Sequence, residues 1–247
     1  PEIRKLFIPE VGEYWLKADY SQQEPRLLTH WACLVGQMGA EEVKEAYKKS
    51  DLDFHQQTAD MAGVERRLAK TIGLGVMYGM GYNKMARELD IDPQDAKKML
   101  ADFRQRVPFM QGMLEAVMNR ANSKGIIRTL LGRKCRFDLW EPSSWGVHKA
   151  LPHNQAKVEY GDAIKRAGTY KALNRLIQGS AADQTKKAMV DVYEELGVTP
   201  LIQVHDELDC SVKGEKEAKE IQRVMETCVE LEVPSKADID LGESWGG

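Results

Sequence analysis

Apolar side chains recur at three- and four-residue intervals and predict a long run of helices from about Pro25 to Ala121. Within this run, Asp92 is placed to cap a helix that begins at Pro93. A second helix is predicted from Ala172 to Leu196, where Gly197 supplies a natural end. A third, amphipathic helix is predicted over residues 214–231, with inward positions at Ala218, Ile221, Val224, Met225 and Cys228.

Shorter stretches predict strands at residues 13–19 and 237–242, a hairpin around Gly132, and two short strands around an acidic turn within residues 200–212. Residues 138–165 have little periodicity and are interpreted as loops and short helices. No Gly/Ser-rich linker or internal repeat interrupts the chain. The order of these elements predicts an α+β body with a long helical insertion.

The composition is that of a soluble globular protein with one large domain or two smaller ones: 247 residues, 43% hydrophobic and 30% charged. No apolar run approaches the roughly 18–20 residues of a membrane span, and the N-terminus lacks the apolar core of a signal peptide. The cysteines form no Cys-x-x-Cys pair, which argues against a zinc cage and fits a reducing cytoplasm. They are Cys33, Cys135, Cys210 and Cys228.

Charge is unevenly distributed along the chain, although the net charge is only −3. Residues 120–187 carry fourteen Lys or Arg against five acids, whereas residues 188–247 carry fifteen acids against five bases. A basic middle beside an acidic end favours one surface for a polyanion and another for solvent or cations. Solvated faces without a ligand are the alternative explanation.

Acidic residues follow two of the predicted strands. Asp19 ends the first strand, and Asp206 with Glu207 lies at the tip of the later hairpin. Carboxylates at the edge of a buried sheet are costly unless they are paired or bind a cation. The pattern predicts a divalent-cation site if the two strands meet, and two unrelated turn acids if they do not.

A stripe of four side chains follows one face of a predicted helix. Its members are Arg66, Lys70, Leu74 and Tyr78, at four-residue spacing. Two cations followed by an apolar and an aromatic residue suit an extended ligand that has phosphates at one end and a sugar and base at the other. Glycines at 73, 75, 79 and 81 weaken the helix and allow another backbone or a flat ligand to approach closely. The alternative is a surface helix without a ligand.

Several segments, in order along the chain, resemble motifs of one enzyme family. Residues 19–26, Asp-Tyr-Ser-Gln-Gln-Glu-Pro-Arg, resemble motif A of the family A DNA polymerases, the bacterial DNA polymerase I type. The helical stripe with Gly75 and Gly79 resembles motif B, and residues 203–207, Gln-Val-His-Asp-Glu, resemble motif C. Residues 53–59, 174–183 and 242–245 also match family segments, so the resemblance covers nearly the whole chain.

The resemblance implies a palm, an antiparallel sheet formed by residues 1–30 and 166–247, and helical fingers over residues 31–165. It implies that Asp19, Asp206 and the backbone carbonyl of Tyr20 hold two Mg²⁺ ions, with Glu207 as an auxiliary acid. The implied reaction adds dNTPs to a primer 3′-end and releases pyrophosphate, which Lys70 is placed to protonate.

The resemblance also assigns contacts to the nucleotide and to DNA. The phosphates would contact Arg66, Lys70 and His55, and Glu24 would exclude a ribose 2′-hydroxyl. The remaining nucleotide-binding positions would be Leu74, Tyr78, Gly79, Gln22 and Tyr20. The primer–template duplex would contact Gln178, Asn174, His205, Arg26, Tyr170 and Lys171.

The chain departs from the family pattern at three places. Leu74 replaces the usual Phe or Tyr beside the sugar, Tyr170 replaces a usual Arg, and Gln23 with Pro25 replaces an aliphatic pair. These departures indicate a phage-type enzyme. We expect Leu74 to favour discrimination against dideoxynucleotides.

Only eighteen residues precede Asp19, so we expect the family's thumb and exonuclease-type domains to be absent and DNA binding to be weak. The implied partners are primer–template DNA, dNTPs and a separate thumb, exonuclease-type domain or processivity factor. A monomer without membrane contact, in the cytoplasm of a bacterial or phage-infected cell, is expected. The alternatives are a catalytically silent nucleotide- or primer–template-binding fragment and a single-subunit RNA polymerase, against which Glu24 argues.

Overall fold

The computed structural model of the protein describes residues 2–49, 52–144, 146 and 148–247. The helices in these ranges are α1 (Gln23–Leu34), α2 (Ala40–Lys49), α3 (Phe54–Ala62), α4 (Arg66–Met77), α5 (Tyr82–Leu89), α6 (Pro93–Arg106), α7 (Pro108–Lys124), α8 (His153–Tyr160), α9 (Ala172–Leu196) and α10 (Glu215–Thr227). The strands are β1 (Tyr14–Tyr20), β2 (Ile126–Arg128), β3 (Lys134–Arg136), β4 (Leu139–Pro142), β5 (Leu151–Pro152), β6 (Ile164–Arg166), β7 (Ile202–Val204), β8 (Glu207–Val212) and β9 (Ala237–Gly242). The α+β prediction is confirmed.

The largest sheet has the antiparallel strand order β7-β8-β1-β9. Strand β1 comes from near the start of the chain. It lies between β8 and β9, which come from near the end of the chain. An inner strand must bury one or both faces, and Leu16 and Ala18 of β1 are fully buried. The pairing brings the acids of β1 and of the β7–β8 turn to the same edge of the sheet.

Buried apolar side chains of the described residues form two clusters. One lies among α1–α7 and the first half of α9, and the other lies between the large sheet, the second half of α9 and α10. Helix α9 belongs to both clusters, since Leu176 packs in the first and Val192 in the second. Its 25 residues therefore connect the helical body to the sheet over roughly 37 Å.

Local capping chemistry produces several of the predicted boundaries. The Asp92 carboxylate accepts a hydrogen bond from the Gln94 N–H at 2.7 Å, and Pro93 occupies the first turn of α6. Gly197 ends α9 in the left-handed conformation, with φ of 69°. The hairpin around Gly132, the β7–β8 hairpin, α10 and β9 also form where the sequence predicts them.

The interpretation of residues 138–165 as loops and short helices was incomplete. Together with Arg166 this segment forms a three-stranded antiparallel sheet, β5-β4-β6, as well as α8. Its strands are two to four residues long, too short to show an alternating pattern. The sheet depends on contacts between its strands. Trp140 pairs with Arg166, and the Arg166 guanidinium packs over the Trp140 indole ring at 4.7 Å. In the described part of the chain, none of the helices is both long and apolar enough to span a bilayer.

Candidate active site

Acidic side chains meet at one edge of the large sheet. Asp19 of β1 is paired with Glu207 of β8 on one side and with Asp238 of β9 on the other. The Tyr20 N–H donates to the Asp206 carbonyl at 3.3 Å, which brings the β7–β8 turn to the end of β1. Partial burial, followed by the charges of the neighbouring acids, raises the pKa of Asp19 to about 6. The structure therefore brings the strand-end acids together, which was the first of the two alternatives that the sequence left open, and a cation would relieve their repulsion.

The acid pair fits an ion that a phosphorylated substrate helps to bind. Among the described residues, no group of three or more His, Cys, Asp or Glu side chains is arranged to hold a metal alone. Asp19 and Asp206 provide two carboxylates. Proteins commonly bind Mg²⁺ through one or two carboxylates, with substrate phosphates and water completing its octahedron. Asp19 and Asp206 therefore fit Mg²⁺ as two of its ligands, with other oxygen donors completing the coordination.

Glu207 is held by the C-terminal segment of the chain. The Trp245 indole N–H donates to Glu207 Oε1 at 2.9 Å. Trp245 in turn packs edge-on against Phe7, and Arg4 lies 4.3 Å above the centre of its ring. The N-terminal turn and the C-terminus thus support one acid of the site, a relationship that the quoted motifs do not reveal.

A fully buried acid lies two residues after Glu207 in β8. Asp209 is completely buried in β8 and accepts a hydrogen bond from the Trp15 indole N–H at 3.0 Å. Its Oδ2 has no hydrogen-bond partner among the described residues. Burial raises the pKa of Asp209 to about 7. Sequence reasoning missed this residue, because the alternation of β8 places Asp209 on the same side as the polar Glu207 and Ser211.

The predicted stripe lies on the exposed side of α4. Arg66 and Lys70 are exposed, Leu74 is half-buried, and Tyr78 follows directly after the helix. The opposite side of the helix is buried, as the amphipathic pattern requires. Tyr78 is followed by Gly79, whose φ is +69° and where an added Cβ would lie 2.7 Å from the Tyr170 carbonyl oxygen. Gly79 thus permits close contact between two backbones, which is one of the roles expected for these glycines.

Two groups at the start of α3 lie beside the cationic end of the stripe. Arg66 Nε donates to Asp53 Oδ2 at 2.6 Å, and both side chains are about half exposed. Burial and then the charge of Lys70 lower the pKa of His55. His55 Nδ1 is buried without a hydrogen-bond partner in the described residues. The predicted phosphate-binding residues therefore form one cluster. It also contains Asp53, which belongs to the matching segment 53–59 but was not assigned a role from the sequence.

A cleft of about 710 Å³ connects α4 with the acidic edge. Across it the Tyr78 hydroxyl donates to Glu24 Oε2 at 2.7 Å. Burial and then the contact with Glu24 raise the pKa of Tyr78 to about 12. The cleft is lined by Gln23, Glu24, Tyr78, Gln178, Ala181, Ala182, Gln203, His205 and Asp206. It joins candidate residues from motifs A, B and C, and adds Gln203, whose role was not predicted.

Other candidate residues are placed differently. Arg26 is 4% exposed; it donates to the Ser21 and Pro234 carbonyls and packs over Tyr47, so the structure does not bring it to the cleft surface. Gln22, at φ of 53°, uses its side chain to bond Leu52 and Phe54. Tyr170 is 52% exposed, and the Lys171 ammonium lies beside its ring. Asn174 Oδ1, in contrast, is buried and has no hydrogen-bond partner in the described residues.

The site therefore consists of an antiparallel sheet with acids at one edge, joined through a cleft to a helix with a cationic stripe. The sequence profile of DNA polymerase family A matches residues 1–247, and the chain belongs to this family. This membership argues against the single-subunit RNA polymerase alternative.

Three similar proteins are informative. A DNA-directed DNA polymerase of Pseudomonas phage M6 is 37% identical, over 98% of this chain and 40% of the phage protein. The thermostable DNA polymerase I of Thermus filiformis is 33% identical, over 98% of this chain and 28% of its own length. The POL domain of Pol1 from M. smegmatis, solved in complex with DNA primer-template and dNTP, is 29% identical with a TM-score of 0.77, over 98% of this chain and 42% of that chain. The chain thus spans less than half of the length of each of these three proteins. The similarity to the phage polymerase supports the prediction of a phage-type enzyme.

Proposed function

We propose that this chain is the core of a template-directed DNA polymerase, which adds dNTPs to a primer 3′-end and releases pyrophosphate. Residues 1–30 and 166–247 form its palm, and residues 31–165 form its fingers. The observation that carries the proposal is the cleft in which Glu24, Tyr78 and Asp206 meet. A nucleotide in this cleft has acids at one end and the Arg66–Lys70 cations on the adjoining helix.

The acidic edge is the proposed site of nucleotidyl transfer. Asp19, Asp206 and the Tyr20 carbonyl would hold two Mg²⁺ ions, which when bound promote deprotonation of the primer hydroxyl and neutralise the triphosphate. The raised pKa of Asp19, caused first by partial burial and then by the nearby carboxylates of Asp206 and Glu207, supports this role because a bound cation would offset both. Glu207, oriented by Trp245, is an auxiliary acid beside this pair.

The cationic end of α4 is the proposed triphosphate site. Arg66 and Lys70 lie one helical turn apart on its exposed side, and His55 is beside them. A guanidinium recognises phosphate oxygens in a planar fork, whereas the Lys ammonium is a mobile point charge. Lys70 is accordingly the proposed proton donor to the leaving pyrophosphate.

The Glu24–Tyr78 pair closes the proposed sugar and base pocket. A Glu24 carboxylate held by Tyr78 is a fixed wall against a ribose 2′-hydroxyl and favours deoxyribonucleotides. Gly79 brings the end of α4 against Tyr170, so the pocket over the templating pair is shaped by backbone contact. Leu74 lies between the phosphate and base ends of the stripe, beside the proposed sugar position.

The remaining cleft residues are the proposed contacts to the primer–template duplex. Gln178 and His205 line the cleft and offer hydrogen-bonding groups to the minor groove, where acceptors are alike in every base pair. Backbone phosphates would contact exposed Tyr170, Lys171 and the other Lys and Arg side chains within residues 120–187. Arg26 is not one of the proposed duplex contacts, because its side chain is buried in the protein.

Primer extension with Mg²⁺ and all four dNTPs tests the proposal. The parent chain should extend a labelled primer, and Asp206→Asn or Asp19→Asn should abolish extension while dNTP binding remains measurable. Asp240→Asn is the matched control, because Asp240 lies on the same sheet and pairs with Lys17 away from the acidic edge. Extension by the Asp206→Asn variant would contradict the assignment. Binding of dNTP without extension by the parent would favour the silent fragment.

A further inference from the structure

Asp53 connects two of the proposed phosphate-binding groups. Its Oδ1 accepts hydrogen bonds from the backbone N–H groups of His55 and Gln56, at 3.0 and 3.1 Å, and so caps α3. Its Oδ2 accepts the 2.6 Å bond from Arg66 Nε. One carboxylate thus sets both the start of the helix that carries His55 and the position of the Arg66 guanidinium.

The segment that carries Asp53 is itself attached to the palm. Gln22, two residues after Tyr20, donates from Nε2 to the Leu52 carbonyl at 2.7 Å and accepts the Phe54 N–H at 3.0 Å. These bonds lie on either side of Asp53. The motif A turn is therefore connected to Arg66 by the two Gln22 hydrogen bonds, the backbone of residues 52–54 and the Asp53–Arg66 contact.

The contact leaves the other edge of Arg66 available. Asp53 engages only Nε, and the two Nη groups have no hydrogen-bond partner within the described residues. A guanidinium can donate two parallel bonds to a phosphate from its Nη edge. The ion pair is about half exposed, so its contribution to folding stability is small and its main effect is on orientation.

We propose that Asp53 is a positioning residue that presents Arg66, beside His55, to the triphosphate of the incoming nucleotide, a role that rests on the proposed function. Asp53 acts through Arg66: it restricts a side chain that would otherwise sample many rotamers before binding. A carboxylate near phosphates also repels them, so the proposal requires the gain from orientation to exceed this repulsion.

The variant Asp53→Asn tests the role. Asn caps helices as well as Asp does, so α3 keeps its cap. An amide that keeps its oxygen on the α3 N–H groups turns its NH₂ toward Arg66 Nε, where donor meets donor, and the guanidinium is displaced. Ordering a long side chain costs enough that we expect binding of inorganic tripolyphosphate, in metal-free buffer, to weaken about fivefold. The KM for dNTP should rise by a similar factor with little change in kcat. This is the pattern expected when a mutation weakens binding equally in the ground state and the transition state.

Two comparisons make the test specific. Asp92→Asn is the matched control, because Asp92 caps α6 through the Gln94 N–H and, within the described part of the chain, makes no hydrogen bond or ion pair with the stripe. It should leave tripolyphosphate binding unchanged. In an Arg66→Gln background, Asp53→Asn should cause no further loss of tripolyphosphate binding, since interacting residues are not additive. Removal of the repulsive carboxylate should leave binding equal or slightly tighter there.

Each other outcome contradicts the proposal in a recognisable way. Unchanged or tighter tripolyphosphate binding by Asp53→Asn would overturn the positioning role alone and show that repulsion outweighs orientation. An equal loss in the Arg66→Gln background would also overturn it, because Asp53 would then act without Arg66. Failure of the parent chain to bind tripolyphosphate would overturn both this role and the proposed triphosphate site.

Discussion

The Tyr78 hydroxyl donates a 2.7 Å hydrogen bond to Glu24 Oε2 and so joins the end of α4 to the start of α1. Residues 54 positions apart in sequence thereby form one wall of the cleft that also contains Asp206. The bond holds a carboxylate that would otherwise move in a half-exposed site. Sugar selection is therefore expected to depend on both partners.

Glu24→Ala should raise the ratio of ribonucleotide to deoxyribonucleotide incorporation by on the order of 10²-fold, the scale on which a site rejects one extra hydroxyl. Tyr78→Phe should raise the ratio less, because Glu24 remains but loses its tether. Single-nucleotide insertion kinetics with matched dNTP and rNTP pairs measure both effects. Glu88→Ala, which alters a surface ion pair with Lys84, is the control. An unchanged ratio in Glu24→Ala would remove the steric role.

Leu74→Tyr should reduce discrimination against dideoxynucleotides. A tyrosine hydroxyl can replace the missing 3′-hydroxyl of the nucleotide as a hydrogen-bond donor, which leucine cannot. Competition between ddNTP and dNTP in primer extension measures the change, with a shift of about tenfold or more expected for one hydrogen bond of roughly 1.5 kcal/mol. Leu74→Phe supplies the ring without the hydroxyl. If Phe and Tyr behave alike, the hydroxyl is not responsible.

Asp209→Asn should stabilise the fold at pH 8 and have little effect at pH 4. The pKa of buried Asp209 is raised to about 7, so the parent loses folding stability as the pH rises from near 4 to near 7. The neutral amide avoids this loss. We expect a gain at pH 8 of about 1–3 kcal/mol, typical of an unsatisfied buried group. Urea unfolding at both pH values measures it, and an equal effect at both would contradict the raised pKa.

Trp245→Phe should slow primer extension several-fold while it lowers the free energy of unfolding only slightly. The ring packing against Phe7 and Arg4 is retained, whereas the 2.9 Å hydrogen bond to Glu207 is lost. The stability loss should be about 1 kcal/mol, as for one hydrogen bond, and extension should slow several-fold because Glu207 loses its orientation. Trp31→Phe removes a 3.3 Å indole bond to Ser180 away from the acidic edge and is the control. Equal rates in the two variants would show that Glu207 needs no such support.

The local part of the fold could be predicted from the sequence because its causes are local. Asp92 caps α6 through a residue two positions away, and Gly197 ends α9 by its own backbone conformation. The stripe of α4 follows from helical period alone. The motif order also identified the family, since it depends on residue types and spacing rather than on contacts.

Contacts between distant segments were decided by the tertiary structure. Strand pairing, not sequence proximity, brings Asp19 beside Glu207 and sets the sheet of residues 139–166, whose strands are too short to have a period. The same holds for side chains whose partners come from elsewhere in the chain. Arg26 is buried because two palm carbonyls and Tyr47 surround it, and Arg66 is oriented by Asp53. Residue type determines what chemistry a position can supply, and packing determines whether that group meets a ligand or the protein itself.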